Sequence, residues 1–255
     1  MKKRSIFDLY IPYVRRFGEV LRVIAWLLLP AAVGVGWWTA EPPAEVLLRP
    51  ELVEVPGGRL PSGVEVAPFW IAKTEVSQEM YAAVMGGLPS IPEELLGADL
   101  PVVRVSWSDA VAWCNRLSAR EGLRPAYLLE GETITWDRTA DGYRLPTEEE
   151  WEYAARAGGD KKYGAFEDDA GLCEHANVLQ DCDPYPRLAP RGAMKPNGWG
   201  LHQVLGNVVE WTWTPYEGEE TAAGSWRVVR GGWWVASAGG ARVAGRDGWR
   251  PSYAY

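Results

Sequence analysis

RVVRGGWWVASAGGARVAGRDGWRPSYAY, residues 227–255, opens as a short apolar strand, RVVRGG, and then loses any regular period. Glycine, proline and aromatic residues punctuate the rest, which reads as irregular surface chain. NVVEWTWT (207–214) behaves the same way: a short strand among loops. The whole stretch contains no cysteine. Fifteen Trp, 28 Gly and 19 Pro extend that impression to the full 255 residues. They suggest a loop-rich body pinned by aromatic side chains rather than a long-helix protein.

Two helices stand out upstream. Ser106 and Asp109 have capping-box spacing, and Trp107, Ala110, Val111, Cys114 and Leu117 then share one apolar face. Thr147 and Glu150 form a second box, with Trp151 following at a staple position. Glu148, Glu149 and Glu150 crowd the first turn of that helix, where its dipole favours negative charge, so we read them as stabilising the terminus rather than as catalytic. Nearer the start, ELVEVPGG (51–58) alternates as a strand and stops at a turn. VEVAPFWIAKTEVS (64–77) reads as a second strand leading to Ser77, a plausible N-cap for a helix carrying Tyr81, Val84 and Met85.

Residues 41–50, EPPAEVLLRP, read as a linker. Before it, residues 1–22 carry a balance of +4, against −12 for the remainder. Residues 23–40, VIAWLLLPAAVGVGWWTA, are uncharged and end on Trp37 and Trp38. Basic residues before an apolar run and indoles behind it fit a signal anchor that leaves the following domain outside the cytoplasm. The alternative is a hydrophobic helix docked on a partner, in a soluble protein. The net charge of −8 argues against a nucleic-acid partner. Cys173 and Cys182 are near enough in sequence to bond in an oxidising compartment, whereas Cys114 reads as a small core residue.

Four phrases carry a family resemblance: PVVRVSWSDAVAWCNRLSAREG (101–122), DGYRLPTEEEWEYAAR (141–156), KPNGWGLHQVLGNVVEW (195–211) and RVVRGG (227–232). In this order they resemble the formylglycine-generating-enzyme, or sulfatase-modifying factor, family. The resemblance implies an α+β, C-type-lectin-like fold over residues 51–255, with two main helices, short irregular strands and many loops. Active members carry a pair of cysteines shortly after the Arg-Gly-Gly. Here Arg230, Gly231 and Gly232 are followed by none, and the chain holds only His175 and His202, too few for the three-histidine iron site of related sulfoxide synthases. Catalysis by either route is not expected.

The C-terminal segment is also similar to the variable proteins of diversity-generating retroelements. Arg230, Gly231, Gly232, Trp234, Arg242, Ala244, Arg246 and Pro251 keep that register. Between them stand residues that randomised adenine-containing codons can encode. The resemblance implies a display protein for a protein or other macromolecular ligand, with a variable region of about 227–255. Its candidate contacts are Trp233, Val235, Ala236, Ser237, Gly239, Gly240, Val243, Gly245, Asp247, Trp249, Arg250, Tyr253 and Tyr255. Aromatic anchors among small adaptable residues suit a recognition surface. Trp234 is expected in the core. The enzyme family also binds Ca²⁺ in loops matching 176–181 and 206–211, which makes Asn177, Asn207 and Glu210 candidate oxygen ligands of a structural ion. The alternative function is an inactive family member serving as an accessory module.

Overall fold

The computed structural model describes residues 49–131, 133–179, 183–221 and 224–254. β1 (Leu52–Val55) pairs antiparallel with β4 (Phe69–Ala72), and the two-residue strands β2 (Gly58–Arg59) and β3 (Glu65–Val66) form a small hairpin between them. The expected second strand is therefore split at Ala67–Pro68, because proline cannot donate to a ladder. Helix α1 (Gln78–Met85) is capped by Ser77 as its sequence requires. Helix α2 (Trp107–Arg120) and helix α3 (Glu148–Arg156) both start with complete capping boxes. A hairpin of β5 (Tyr127–Glu130) and β6 (Thr133–Trp136) lies between these helices. Helix α4 (Asp169–His175) follows, capped by Asp168. The domain ends in a three-stranded sheet of β7 (Glu210–Thr221), β8 (Gly224–Arg230) and β9 (Asp247–Trp249).

Three packed clusters hold these elements. Trp107, Val111, Cys114 and Leu117 of α2 meet Tyr81, Val84 and Tyr127 in one. Trp213 stacks on Tyr127 there, with centroids 4.9 Å apart, and the Arg227 guanidinium lies over Trp107 and Trp213. Val55, Leu60, Val66 and Phe69 pack on Ala154 and Leu201 in a second. The third surrounds Trp151 and includes Ala238, Ala241 and Val243, so the irregular C-terminal segment contributes side chains to a core. Its entry is set by Gly231 (φ 91°) and Gly232 (φ 80°), both left-handed, which explains two consecutive glycines after Arg230.

Candidate functional site

A groove of about 840 Å³ opens between the β1–β4 sheet, the 102–105 segment and the 207–211 turn. Its walls are mainly apolar: Leu52 and Trp70, then Val102, Val103 and Val105, then Val208 and Val209. Trp211, Trp233, Trp234 and Trp249 also face it. Trp70 is 62% exposed, which is a large apolar surface for one residue to leave in water. Cys114 is the thiol that borders the groove, but it sits in the α2 core, and burial pushes it up to about 12. Such a thiol stays protonated at neutral pH and is a poor nucleophile or metal ligand.

Two carboxyls line the same groove. Glu75 follows β4, and Glu210 is the first residue of β7. The Glu75 Oε1 accepts from Asn207 Nδ2 at 3.0 Å, while its Oε2 is buried without a hydrogen-bond partner. Glu210 Oε2 accepts from the Trp151 indole N–H at 2.8 Å. Desolvation, and then the neighbouring Glu210, raise Glu75 well above the carboxylate range. Desolvation raises Glu210 to about 7 against the smaller opposing effect of the Trp151 bond. Burial thus shifts both carboxyls toward the neutral form.

A pH dependence follows. Between the ordinary carboxylate range and about 7, the folded chain retains a proton on Glu210 that the unfolded chain has released. This contribution to stability is fully present below the unfolded value and is lost as pH rises through about 7. Glu75 acts in the same direction. Denaturant melts at pH 5, 6, 7 and 8 should show a decline that is shallower in Glu210→Gln. Parallel curves would mean that Glu210 ionises normally.

The C-terminal segment divides into pins and exposed positions. Ser237, Gly239, Gly240, Asp247, Arg250 and Tyr253 are exposed, and Val235, Ala236, Gly245 and Trp249 are half-buried. Val243 is a correction: it is fully buried beside Trp151, its N–H is bonded to Lys162 O and its C=O accepts from Arg230. Spacing within an irregular segment does not reveal which residues turn inward. Of the proposed contacts, Trp233 and Trp249 reach the groove, whereas the small exposed residues form a separate outer surface. Trp249 touches Trp211 and Tyr253 edge-on, at 5.8 and 5.2 Å. Trp234, expected in the core, is half-buried and also faces the groove. Tyr255 lies outside the described residues, as does the segment 23–40. No helix among the described residues is long and apolar enough to cross a membrane.

The Asn177–Asn207 pair does come together, but as a knot of hydrogen bonds. Asn207 Oδ1 accepts from Ala189 N and Asn177 Nδ2, and its Nδ2 donates to Glu75 and to Ala189 O. Asn177 Oδ1 is buried without a hydrogen-bond partner, whereas the Asn207 side chain has no lone pair left for a cation. The pair ties the 176–189 loop to the 206–207 turn. Gly206 belongs to that turn because a Cβ there would strike Asn177 O. Cys173 is disulfide-bonded and Cys114 is free; Cys182 lies outside the described residues. Sequence reading missed Trp70, Glu75 and the 102–105 wall, since no local pattern signals that distant segments share a groove.

Short paired strands, capped helices and an irregular C-terminal segment pinned across a core define a C-type-lectin-like domain. The match extends along residues 40–254, and the chain belongs to the sulfatase-modifying factor enzyme 1-like domain family. It is 30% identical to Chaperone protein LppX of Paenibacillus barcinonensis, over 87% of this chain and 91% of that protein. It is 35% identical to the mouse formylglycine-generating enzyme, over 52% of this chain but only 34% of the enzyme. Among solved structures, Treponema denticola variable protein 1 superposes with a TM-score of 0.64 at 31% identity, covering 75% of this chain and 82% of that one. The likeness to a variable protein therefore extends from motif to structure.

Proposed function

We propose that this domain is a non-catalytic module that binds another polypeptide, using its C-terminal segment and the groove that segment helps to wall. The observation that carries this reading is the convergence of Trp233, Trp234 and Trp249 with Trp70 and Trp211 on one apolar groove. Aromatic side chains supply rigid contact area at small entropic cost. The family's cysteine pair is missing after Arg230, and the buried Cys114 thiol is held protonated. The relationship to LppX, a chaperone by name, favours a second form of the same reading, an accessory module that holds a client chain.

Incubation with a cysteine-containing sulfatase-motif peptide, copper and oxygen should yield no aldehyde by mass spectrometry above a no-protein control. Panning phage-displayed random peptides against the purified chain should return binders that are lost on Trp233→Ser or Trp249→Ser. Aldehyde formation, or binders indifferent to both substitutions, would sink the reading. We also assign residues 23–40 as an anchor holding the domain outside the cytoplasm. The disulfide at Cys173 supports an oxidising compartment. Full-length protein should then stay with membranes through carbonate washes, and release into the wash would refute the anchor.

A further inference from the structure

The exposed positions of the C-terminal segment lie beside an apolar side chain from elsewhere in the chain. Leu179 N donates to Ala236 O at 2.9 Å, which seats the 177–179 loop directly against the segment. Leu179 is 64% exposed, more than any other large apolar residue among those described. The two residues before it are the reverse. Asn177 is fully buried and bonded to Asn207 and to the Arg187 carbonyl, and Val178 packs in the Trp151 cluster. Helix α4, which leads into this loop, carries the disulfide-bonded Cys173. A loop so firmly tied has little freedom, yet it turns a leucine to water.

An isolated exposed leucine is ordinary, but this one adjoins the candidate contact surface. Ser237, Gly239 and Gly240 are exposed just beyond Ala236, and neither they nor Leu179 belong to the groove wall. Arg242 follows. Its neighbours Ala241 and Val243 are fully buried, so its exposed side chain is directed outward, and among the described residues it forms no ion pair. Small side chains let a partner approach the backbone closely, and a restrained leucine is buried at little entropic cost. Without groove walls, an extended peptide covers too little area here to offset its own ordering. A folded partner is ordered beforehand.

We infer that Leu179 anchors a second contact surface, outside the groove, which docks a folded protein through an apolar patch bordered by a carboxylate. Leu179 fills the apolar patch, Arg242 meets the carboxylate, and Ser237, Gly239 and Gly240 form the floor between the partner and the backbone. This rests on the polypeptide-binding reading above and adds a second face, an anchor and the kind of partner. Leu179 lies outside residues 227–255, so the anchor does not depend on which residues that segment carries.

The test pans the full-length chain against a phage-displayed fibronectin type III domain with randomised loops, a folded probe. Recovered clones should bind Leu179→Ser at least about tenfold more weakly, as for an interface anchor. Arg242→Gln should weaken them by only about twofold to fivefold, as for a charge at the rim. Ser237→Lys, which sets a long side chain on the floor, should abolish binding, and Trp70→Ser, in the groove, should leave it unchanged. The thermal melt of Leu179→Ser should match that of the parent, because the side chain is exposed. A melt lowered by several degrees would make Leu179 structural and overturn the inference. So would an empty selection, clones indifferent to both Leu179→Ser and Ser237→Lys, or clones lost equally on Trp70→Ser. Linear phage peptides that depend on Leu179 would overturn the folded partner. In each case, phage peptides that depend on Trp233 and Trp249 would leave the broader reading standing.

Discussion

Replacing Trp151 with alanine should destabilise the domain by about 3–5 kcal/mol, the range for emptying a buried aromatic site. Trp151 is 1% exposed and lies at the centre of the cluster that contains Leu172, Leu205 and Val243. Its indole N–H also bonds Glu210, and the Arg230 guanidinium sits 4.8 Å from its ring centroid. The cavity would therefore loosen α3, the groove floor and the C-terminal segment together. For a domain of this size the midpoint of thermal melting should fall by roughly 2–4 °C for each kcal/mol. Simultaneous replacement of Ser237, Gly239 and Asp247 by other small polar residues should change stability by no more than about 1 kcal/mol. Gly239 can accept a Cβ, because the nearest atom is Ser237 Oγ at 3.8 Å. Gly245 is excluded from that set, because a Cβ there would sit 3.0 Å from two carbonyl oxygens. Thermal melts of the two variants decide the point: a fragile outer surface with a mild Trp151→Ala would make this segment structural rather than a display surface.

Arg230→Met should be comparably severe, at about 3–5 kcal/mol, because it removes the buried member of an ion-pair network and takes the donor away from Val243 O. The Arg230 side chain is 1% exposed and reaches Glu148 at 3.3 Å and Glu152 at 2.9 Å, and it also donates to Val243 O at 2.7 Å. These contacts tie β8 and the C-terminal segment to α3. Without the guanidinium, Glu148 keeps only Arg246 and Glu152 only Arg156, and the buried side of both carboxylates faces a methionine. Adding Glu148→Gln and Glu152→Gln to Arg230→Met should restore part of the loss. Arg246→Ala is the contrast: Arg246 bonds the same Glu148 but is 41% exposed, so its removal should cost no more than about 1 kcal/mol. Urea melts of the series would refute this account if Arg246→Ala proved as damaging as Arg230→Met.

These two residues also show where local sequence stops being informative. The acidic run Glu148–Glu150 reads, correctly, as the start of a helix, and Glu150 closes the capping box. Nothing local indicates that Glu148 and Glu152 receive an arginine from some 80 residues downstream. Likewise nothing local marks α4, because Asp169–His175 is short, contains glycine and has no apolar stripe. Its helix is sustained by its Asp168 cap and by burying Leu172 in the Trp151 cluster.

What the sequence determined by itself was whatever short-range physics controls. The capping boxes at Ser106 and Thr147, the apolar face of α2, the strand at 52–55 and the glycine pair after Arg230 all follow from contacts within a few residues. Its motif order implied the lectin-like fold. Tertiary structure alone decided which residues of 233–254 turn inward. Ala238, Ala241 and Val243 fill space beside Trp151, so their neighbours are left outside, and no period in the chain encodes that choice. The groove is likewise a product of packing: Trp70, Glu75, Val105, Glu210 and Trp249 meet only because separate cores bring β4, the 102–105 segment, β7 and β9 together. Burial there, rather than residue type, is what makes Glu75 and Glu210 unlike other carboxylates.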